Sequence, residues 1–162
     1  MNDLVAALEH AFGAERVQRD ASLVRFTTFK VGGPADVLLD TFTSDEIVTA
    51  VKLARGAGVP VTMLGGGSNV LIADAGIRGV VIRPRGGEVV AIGDRLVRAD
   101  AATTINGLVR WTINRGYGGL EAWAGTPGTV GGAIFGNAHW KSSNIGDLVE
   151  SVRLLRPDGT LL

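Results

Sequence analysis

The sequence has no cysteine, no excess of either charge and no long hydrophobic run, and each absence excludes a class of protein. Without cysteine there is no disulfide framework, no thiolate metal site and no cysteine nucleophile. The 16 Lys and Arg residues balance the 16 Asp and Glu residues. This balance argues against a general nucleic-acid-binding protein and against a protein that binds membrane surfaces through a polybasic patch. No run approaches the ~20 apolar residues of a membrane span, and no basic signal-peptide start is present. We therefore expect a cytoplasmic protein.

Glycine, by contrast, is abundant. It accounts for 24 of the 162 residues, about twice the usual share of about 7%. Glycine has no side chain to pack and is costly to order, so a compact chain with this much of it needs a reason. Tight turns or close approach of backbone to a ligand are such reasons, and the 46% hydrophobic residues are enough to build a core around them.

The first half of the chain has the pattern of a β-α-β unit. Apolar residues at helical spacing predict a short helix over residues 4–12. Residues 37–42 are expected to form a strand, and Thr43 with Glu46 forms a capping box that starts a helix ending at Gly56 or Gly58. Residues 59–64 predict a buried strand that leads directly into three glycines.

The second half begins with a different pattern. After a strand over residues 80–82, two apolar runs at 88–92 and 95–99 flank Gly93-Asp94 and predict a hairpin with a two-residue turn. A helix capped by Thr103 or Thr104 follows, with Ile105, Leu108, Val109 and Thr112 facing inward. We place a lobe boundary before this hairpin, so that residues 1–85 form one lobe and residues 86–162 form the other.

The last residues predict an unfinished hairpin. Leu148–Leu155 has the composition of a strand, and Pro157-Asp158-Gly159 is a turn signal that only three residues follow. A strand usually has about five or six residues, so we expect the chain to end before its fold is complete. The alternative is a short edge strand that closes a natural domain.

The first glycine cluster is Gly65-Gly66-Gly67-Ser68-Asn69, and it follows a predicted strand. Successive glycine N–H groups can curl around phosphate oxygens, and Ser68 and Asn69 add side-chain donors. The cluster is neither a Walker A loop nor a dinucleotide fingerprint, because it lacks the Lys-Ser/Thr pair and the third glycine of those motifs. We favour phosphate binding over an ordinary tight turn.

The second cluster runs from Gly125 to Ala133, and Thr129 is placed to start a short helix. Gly128, Gly131 and Gly132 would leave one face without side chains. A flat aromatic ring or a pyrophosphate could lie on that face, or the glycines could serve close packing of backbone. The pattern does not decide between these readings.

Neither a metal site nor a nucleophile is indicated. The two histidines, His10 and His139, have no ligand partners at metal spacing, and no serine lies in a Gly-x-Ser-x-Gly motif. The carboxylates are scattered, so none is nominated as a general acid or base. The residues alone indicate an α+β protein that binds a nucleotide cofactor and leaves the chemistry to that cofactor or to residues elsewhere.

Several motifs together resemble the UDP-N-acetylenolpyruvylglucosamine reductase family, which are FAD enzymes of peptidoglycan precursor synthesis. The resemblance is carried, in order, by Phe26-Thr27-Thr28-Phe29-Lys30-Val31-Gly32-Gly33-Pro34-Ala35, by Gly65-Gly66-Gly67-Ser68-Asn69-Val70-Leu71 with Asp74 and Gly76, and by Gly119-Leu120-Glu121 through Gly125-Thr126-Pro127-Gly128-Thr129-Val130-Gly131-Gly132-Ala133, followed by Asn137-Ala138. The matches run from about residue 26 to residue 159, and their order and spacing are more specific than any single motif.

The resemblance implies a two-lobed α+β FAD-binding domain of the vanillyl-alcohol-oxidase (PCMH) type, truncated at its C-terminus, with non-covalently bound FAD between the lobes. The cofactor-binding residues that it implies are Gly65, Gly66, Gly67, Ser68, Asn69 and Val70 at the pyrophosphate, and Gly125, Thr126, Pro127, Gly128, Thr129, Gly131, Gly132, Ala133 and Asn137 toward the flavin. It also implies NADPH as the electron donor and a UDP-sugar enolpyruvyl ether as the substrate of the whole enzyme.

No catalytic residue is carried over. The family's serine, arginine and glutamate lie in a later motif and a substrate domain that this chain does not match, so we expect the chain alone to be inactive. The segment Asn137-Ala138-His139-Trp140-Lys141-Ser142-Ser143 departs from the family's Asn-Ala-Gly-Ala-Tyr-Gly-Gly. This departure leaves open another oxidoreductase on the same fold. The unfinished hairpin and the missing catalytic residues leave open a non-catalytic FAD-binding fragment.

Overall fold

The computed structural model describes residues 1–156 and 159–162, which form two compact units: residues 1–85 with 154–162, and residues 86–153. The sequence-based division placed residues 154–162 in the second lobe. In the structure this segment lies with the first unit, because Leu155 packs against the core of that unit. The predicted turn at Pro157-Asp158-Gly159 lies partly outside the described residues.

The first unit is built on a four-stranded sheet with the strand order β1-β2-β4-β3. Its elements are α1 (Asn2–Phe12), β1 (Val17–Ser22), β2 (Pro34–Thr41), α2 (Ser44–Gly56), β3 (Val61–Met63) and β4 (Ile77–Pro84). The strands β2 and β3 both run parallel to β4, and β1 is antiparallel to β2. The predicted β-α-β unit is therefore present, but its two strands are not neighbours because β4 lies between them.

The central strands of this sheet are buried on both faces. Val37 and Leu39 belong to the core beneath α1 and α2, whereas Leu38 belongs to a second cluster with Leu23 and Leu64. Neighbouring residues of a strand point to opposite faces, so a strand covered on both sides has an uninterrupted apolar run. The strand β1 was missed because its burial is confined to Val17 and Ala21.

Thr43 caps α2, but the predicted capping box is only half formed. The Thr43 Oγ1 accepts a hydrogen bond from the Glu46 N–H at 3.1 Å. The Glu46 carboxylate, however, accepts from the Phe42 N–H at 2.6 Å and pairs with Arg16 at 2.5 Å. The Arg16 guanidinium also lies 4.8 Å from the centre of the Phe42 ring. The glutamate thus joins the start of α2 to the segment before β1.

We expect this contact to make folding depend on pH. The hydrogen bond from Arg16, and after it the one from the Phe42 N–H, lower the pKa of Glu46 from its usual value. A lowered folded-state pKa gives stability that is present above the unfolded-state pKa and is lost as pH falls through the folded-state value. Replacing Glu46 with glutamine should cost about 1 kcal/mol at about pH 7 and less at about pH 3. Urea unfolding of both proteins checks this, and an equal difference at both pH values would contradict it.

The second unit begins with the predicted hairpin. Its elements are β5 (Val89–Ala91), β6 (Val97–Ala99), α3 (Ile105–Ile113), α4 (Val130–Phe135), β7 (His139–Trp140) and β8 (Ser143–Asn144). The strands β5 and β6 pair antiparallel, and the Ile92 N–H bonds to the Leu96 carbonyl at 3.0 Å. This hydrogen bond encloses a turn of three residues, Gly93 to Arg95, instead of the predicted two.

The core of the second unit forms around α3. The four residues predicted to face inward, Ile105, Leu108, Val109 and Thr112, are all buried, and Thr104 is the cap that accepts from the Gly107 N–H. Trp123, at 1% exposure, packs with them. No helix of the described residues is long and apolar enough to cross a membrane.

The strand predicted over Leu148–Leu155 is wrong. Residues Ile145–Leu148 form a 3-10 helix, and the far end of the segment pairs through an isolated bridge between Leu155 and Leu161. Val152 and Leu154 are about half exposed. An apolar run becomes a strand only where another strand supplies backbone partners. Within the described residues, 160–162 supply them only at the end of this segment, where Leu154 and Leu162 exchange two hydrogen bonds of 2.8 Å.

Candidate cofactor site

The first glycine cluster forms an exposed loop after β3, anchored by its third glycine. Gly67 is buried with φ of 65°, and a Cβ there would lie 1.9 Å from the Phe26 carbonyl oxygen. The Thr28 N–H donates to the Gly67 carbonyl at 3.0 Å. Only glycine permits both this left-handed backbone and this close approach. The segment around Phe26 therefore fixes the shape of the loop.

The loop presents a run of free donors. Within the described part of the chain, no acceptor is hydrogen-bonded to the N–H groups of Gly65, Gly66, Gly67, Ser68 or Asn69. Gly65, Gly66 and Asn69 are exposed, Ser68 is partly exposed, and the partly buried Val70 packs against the core behind the loop. Successive N–H groups without internal partners can bind an anion. The loop thus fits the diphosphate of a dinucleotide.

A groove of about 270 Å³ lies beside this loop. We call it the cationic groove, and it is lined by Arg25, Phe26, Thr27, Thr28, Lys30, Gly65, Gly66, Arg83 and Arg85. Arg83 is fixed from β2 by Asp40, through contacts of 2.7 and 2.6 Å. The Phe26 ring lies between two guanidinium groups, 4.0 Å from that of Arg83 and 4.6 Å from that of Arg25. Sequence reasoning missed this groove, because its residues are far apart in the chain.

Three other glycines of the family motifs have a packing role. A Cβ on Gly33 would lie 2.0 Å from the Asp74 carbonyl, and one on Gly76 would lie 1.8 Å from the Pro34 carbonyl. Gly32, with φ of 128°, packs against Ile72 in the same way. These half-buried glycines let the segment before β2 and the segment before β4 approach each other at backbone distance.

In the second cluster Thr129 caps the short helix α4, as predicted. Two N–H groups at the start of this helix already have acceptors within the protein. The Gly131 N–H donates to the Ala101 carbonyl at 2.9 Å, and the Gly132 N–H donates to Thr129 Oγ1. A Cβ on Gly131 would lie 2.9 Å from the Ala101 Cβ. This geometry gives Gly131 a close-packing role and leaves these N–H groups without capacity for a phosphate.

Other glycines of this cluster face open space. A Cβ on Gly132 would meet only Thr129 Oγ1, at 3.4 Å, and one on Gly125 would meet nothing within 4 Å. Gly125 has φ of 87°, and its N–H donates to Asn106 Oδ1 at 2.7 Å. Asn106, which sequence reasoning missed, thus holds the start of the segment. A surface free of side chains at Gly125 and Gly132 can accept a flat ring.

The middle of the segment is tied to its surroundings by backbone hydrogen bonds. The Thr126 N–H donates to the Trp123 carbonyl, and the Gly128 carbonyl accepts from the Ile105 N–H. Gly128 has φ of 102°, in keeping with the turn expected at Pro127-Gly128. Pro127 is exposed, whereas Ala133 is buried in the core of this unit.

Asn137 joins this segment to the hairpin that departs from the family pattern. It has φ of 41°, which asparagine tolerates better than most residues. Its Oδ1 accepts from the Gly146 N–H at 3.2 Å, across the hairpin formed by β7 and β8. The amide side chain therefore has a structural partner of its own.

Two acidic residues of the second unit accept hydrogen bonds from backbone N–H groups. The Glu121 carboxylate is bound first by its own N–H and then by the Gly119 N–H, and these hydrogen bonds lower its pKa. Asp147 accepts from the Asn144 N–H at 3.0 Å. Among the described residues, no group of three His, Asp or Glu side chains is placed to hold a metal ion.

Comparison with known proteins identifies the family. A family described as "FAD binding domain" matches residues 35–162, most of the chain. The chain belongs to this family. The UDP-N-acetylenolpyruvoylglucosamine reductase of Moorella thermoacetica is 41% identical over 144 residues, covering 89% of this chain and 48% of the relative. That of Rubrobacter xylanophilus is 50% identical over 123 residues, covering 74% of this chain and 40% of the relative. The FAD-binding part of these reductases, expected from the motifs, is thus confirmed as what this chain resembles.

Solved structures confirm the fold. The UDP-N-acetylenolpyruvylglucosamine reductase of Thermus caldophilus aligns with a TM-score of 0.71 at 32% identity, over 91% of this chain and 51% of that one. A p-cresol methylhydroxylase aligns at 0.54 with 15% identity, over 71% of this chain and 25% of that one, which shows the fold alone. The expected α+β fold of the vanillyl-alcohol-oxidase type is therefore correct. This chain spans about half the length of the curated relatives that it matches.

Proposed function

We propose that this FAD binding domain binds FAD non-covalently, with the loop Gly65–Asn69 taking the diphosphate. The observation that carries the proposal is the run of five consecutive N–H groups without a partner in the described residues. FAD has a diphosphate that such a loop accepts, and the exposed backbone of Gly65 and Gly66 lets it approach closely. The chain has no cysteine and the loop has no histidine, so neither of these residues supplies a covalent attachment there.

We further propose that the segment from Gly125 to Ala133, with Asn137, lies toward the flavin end of FAD. Gly132 and Gly125 present a surface without side chains, and the hydrogen bonds at Thr126, Gly128 and Asn106 hold it in shape. When bound, FAD supplies hydride-transfer chemistry. The proposed role of these residues is to bind and orient the cofactor and to keep bulky groups away from its ring.

The structure also indicates how the flavin end can be tested. Gly132→Val should weaken FAD binding about tenfold or more, since a branched side chain would occupy the open face. Gly131→Val is the contrasting variant: it should unfold the second unit, because its Cβ would meet Ala101 at 2.9 Å. Flavin fluorescence titration with circular dichroism separates loss of binding from loss of fold. A Gly132→Val protein that binds FAD normally would contradict the proposed position.

The whole protein is proposed to reduce the enolpyruvyl group of UDP-N-acetylglucosamine enolpyruvate to UDP-N-acetylmuramate with NADPH, in the cytoplasm, as a step of peptidoglycan precursor synthesis. The substrate and its reduction are supported by the name of the reductases that are 34–50% identical to this chain. NADPH and the cytoplasm are carried over from the motif resemblance. The chain described here would supply the FAD site, and we expect it to be inactive alone because none of its residues is assigned a catalytic role.

The first experiment is an absorbance spectrum of the purified chain before and after addition of FAD. We expect flavin bands that stay with the protein through gel filtration and are released as free FAD on denaturation. A folded chain that takes up no FAD would contradict the proposal. FAD that remains attached after denaturation would contradict only the non-covalent binding.

A different oxidoreductase activity on the same fold is the second candidate. It is favoured by the hairpin β7–β8, where Lys141 has φ of 54° and Trp140 is 54% exposed at positions where the family pattern has small residues and a tyrosine. Assay of the complete protein with NADPH and the UDP-sugar enolpyruvyl ether discriminates between the candidates. Turnover of that pair excludes the second candidate, and a reduced flavin that does not react with the ether favours it.

A further inference from the structure

The cationic groove contains more positive charge than its surroundings neutralise. Arg25, Lys30, Arg83 and Arg85 line it, and none of the described residues that line it is acidic. Asp40 pairs with Arg83 at 2.6 Å. Within the described residues Lys30 and Arg85 form no ion pair, and Arg25 donates only to the neutral Gln18 amide. Four cations with a single carboxylate among them favour an anionic ligand.

Lys30 and Arg85 are each positioned by a backbone hydrogen bond. The Lys30 N–H donates to the Thr27 carbonyl at 3.2 Å, and Thr27 Oγ1 donates to the Val31 carbonyl at 2.9 Å. The Arg85 N–H donates to the Thr41 carbonyl at 2.7 Å, directly after β4. Thr27 itself is only 3% exposed, so the turn that holds Lys30 is anchored in the protein.

The backbone at Lys30 indicates that its side chain is not there for the sake of the turn. Lys30 has φ of 57°, a left-handed conformation that glycine and asparagine adopt at lower cost than lysine. Strained residues of this kind cluster at ligand sites, where the side chain has a use that offsets its conformational cost. The charge of Lys30 is therefore the feature that the turn presents to the groove.

We propose that Lys30 and Arg85 bind the diphosphate of FAD, together with the free N–H groups of Gly65 and Gly66 in the same groove. The inference rests on the proposed binding of FAD and adds the side chains that neutralise its charge. Ammonium and guanidinium groups form charge-assisted hydrogen bonds with phosphate oxygens, whereas backbone N–H groups position those oxygens without carrying a full charge.

The test is calorimetric titration of the full chain with ADP, which has the diphosphate but no flavin, and with FAD. Lys30→Gly and Arg85→Gln should each weaken both ligands about fivefold to tenfold and reduce the salt dependence of binding. Lys30→Gly should be at least as stable as wild type, because it relieves the left-handed backbone. Lys30→Arg should retain most of the affinity. Arg55→Gln, an exposed charge on α2, is the matched control and should bind normally.

The outcomes separate this inference from the proposed function. If wild type binds FAD and Lys30→Gly and Arg85→Gln bind it equally well, the charge role is wrong and the glycine loop acts alone. If wild type binds neither FAD nor ADP, both proposals fail. Titration of ADP into FAD-saturated protein distinguishes the source of the diphosphate. We expect no binding there, and ADP bound beside FAD would overturn the assignment to FAD by showing that the groove takes a separate nucleoside diphosphate.

Discussion

Gly67→Ala is expected to destabilise the first unit by about 2–5 kcal/mol, from a left-handed backbone penalty of about 1–2 kcal/mol and steric strain of about 1–3 kcal/mol. The added Cβ would lie 1.9 Å from the Phe26 carbonyl oxygen, so either the glycine loop or the segment at Phe26 must move. Since Thr28 also hydrogen-bonds to Gly67, the movement should distort the whole loop. Urea unfolding followed by circular dichroism measures the loss, and FAD affinity should fall with it.

Gly58→Ala is a matched control for this experiment. Gly58 has φ of 67°, close to the 65° of Gly67, but a Cβ there would meet nothing within 4 Å. It should therefore lose only the backbone penalty of about 1–2 kcal/mol and bind FAD as wild type does. Equal destabilisation by the two substitutions would show that contact with Phe26 does not fix the loop.

The second large effect is expected at Gly66, on ligand binding and not on folding. Gly66 is exposed and, unlike Gly67, does not have a positive φ, so a side chain at position 66 meets no left-handed backbone penalty. A valine at position 66 would place a branched side chain where the N–H groups face the diphosphate. If this side chain prevents two hydrogen bonds from loop N–H groups to phosphate oxygens, at about 1.5–3 kcal/mol each, FAD should bind at least about 100-fold more weakly.

The controls for Gly66→Val are its own stability and a second glycine substitution. The free energy of unfolding without FAD should change by less than about 1 kcal/mol, as is usual for exposed positions. Gly56→Ala, at the end of α2 with nothing within 4 Å of the added Cβ, should leave FAD binding unchanged. A Gly66→Val protein that keeps its yellow colour through gel filtration would show that the loop does not bind the diphosphate.

The two predictions separate two uses of neighbouring glycines. Gly67 is required by packing inside the protein, and Gly66 is required only if a ligand approaches. The same contrast occurs between Gly131, packed on Ala101, and Gly132, which faces open space. In each cluster the sequence presents the glycines as equivalent, and only their surroundings distinguish them.

Local patterns in the sequence determined much of this protein. The buried faces of α1 and α3 and the caps Thr43, Thr104 and Thr129 follow from spacing along a single helix, which needs no information about distant residues. The motif order likewise identified the family, since it is a property of the chain itself. The prediction of a strand over Leu148–Leu155 was wrong because strand formation depends on a neighbouring strand, which the sequence of the segment itself cannot identify.

Only the tertiary structure determines which strands and side chains lie next to one another. It placed β4 between β2 and β3, showed which glycines lie against backbone, and brought Lys30 beside Arg85 around the exposed Gly65 and Gly66. Residues at opposite ends of this unit meet in the groove because parallel strands need long connections, so side chains close in space are far apart in sequence. The free donors of the loop and the unpaired charges beside it are therefore brought together, as the proposed anion site, only after the sheet has formed.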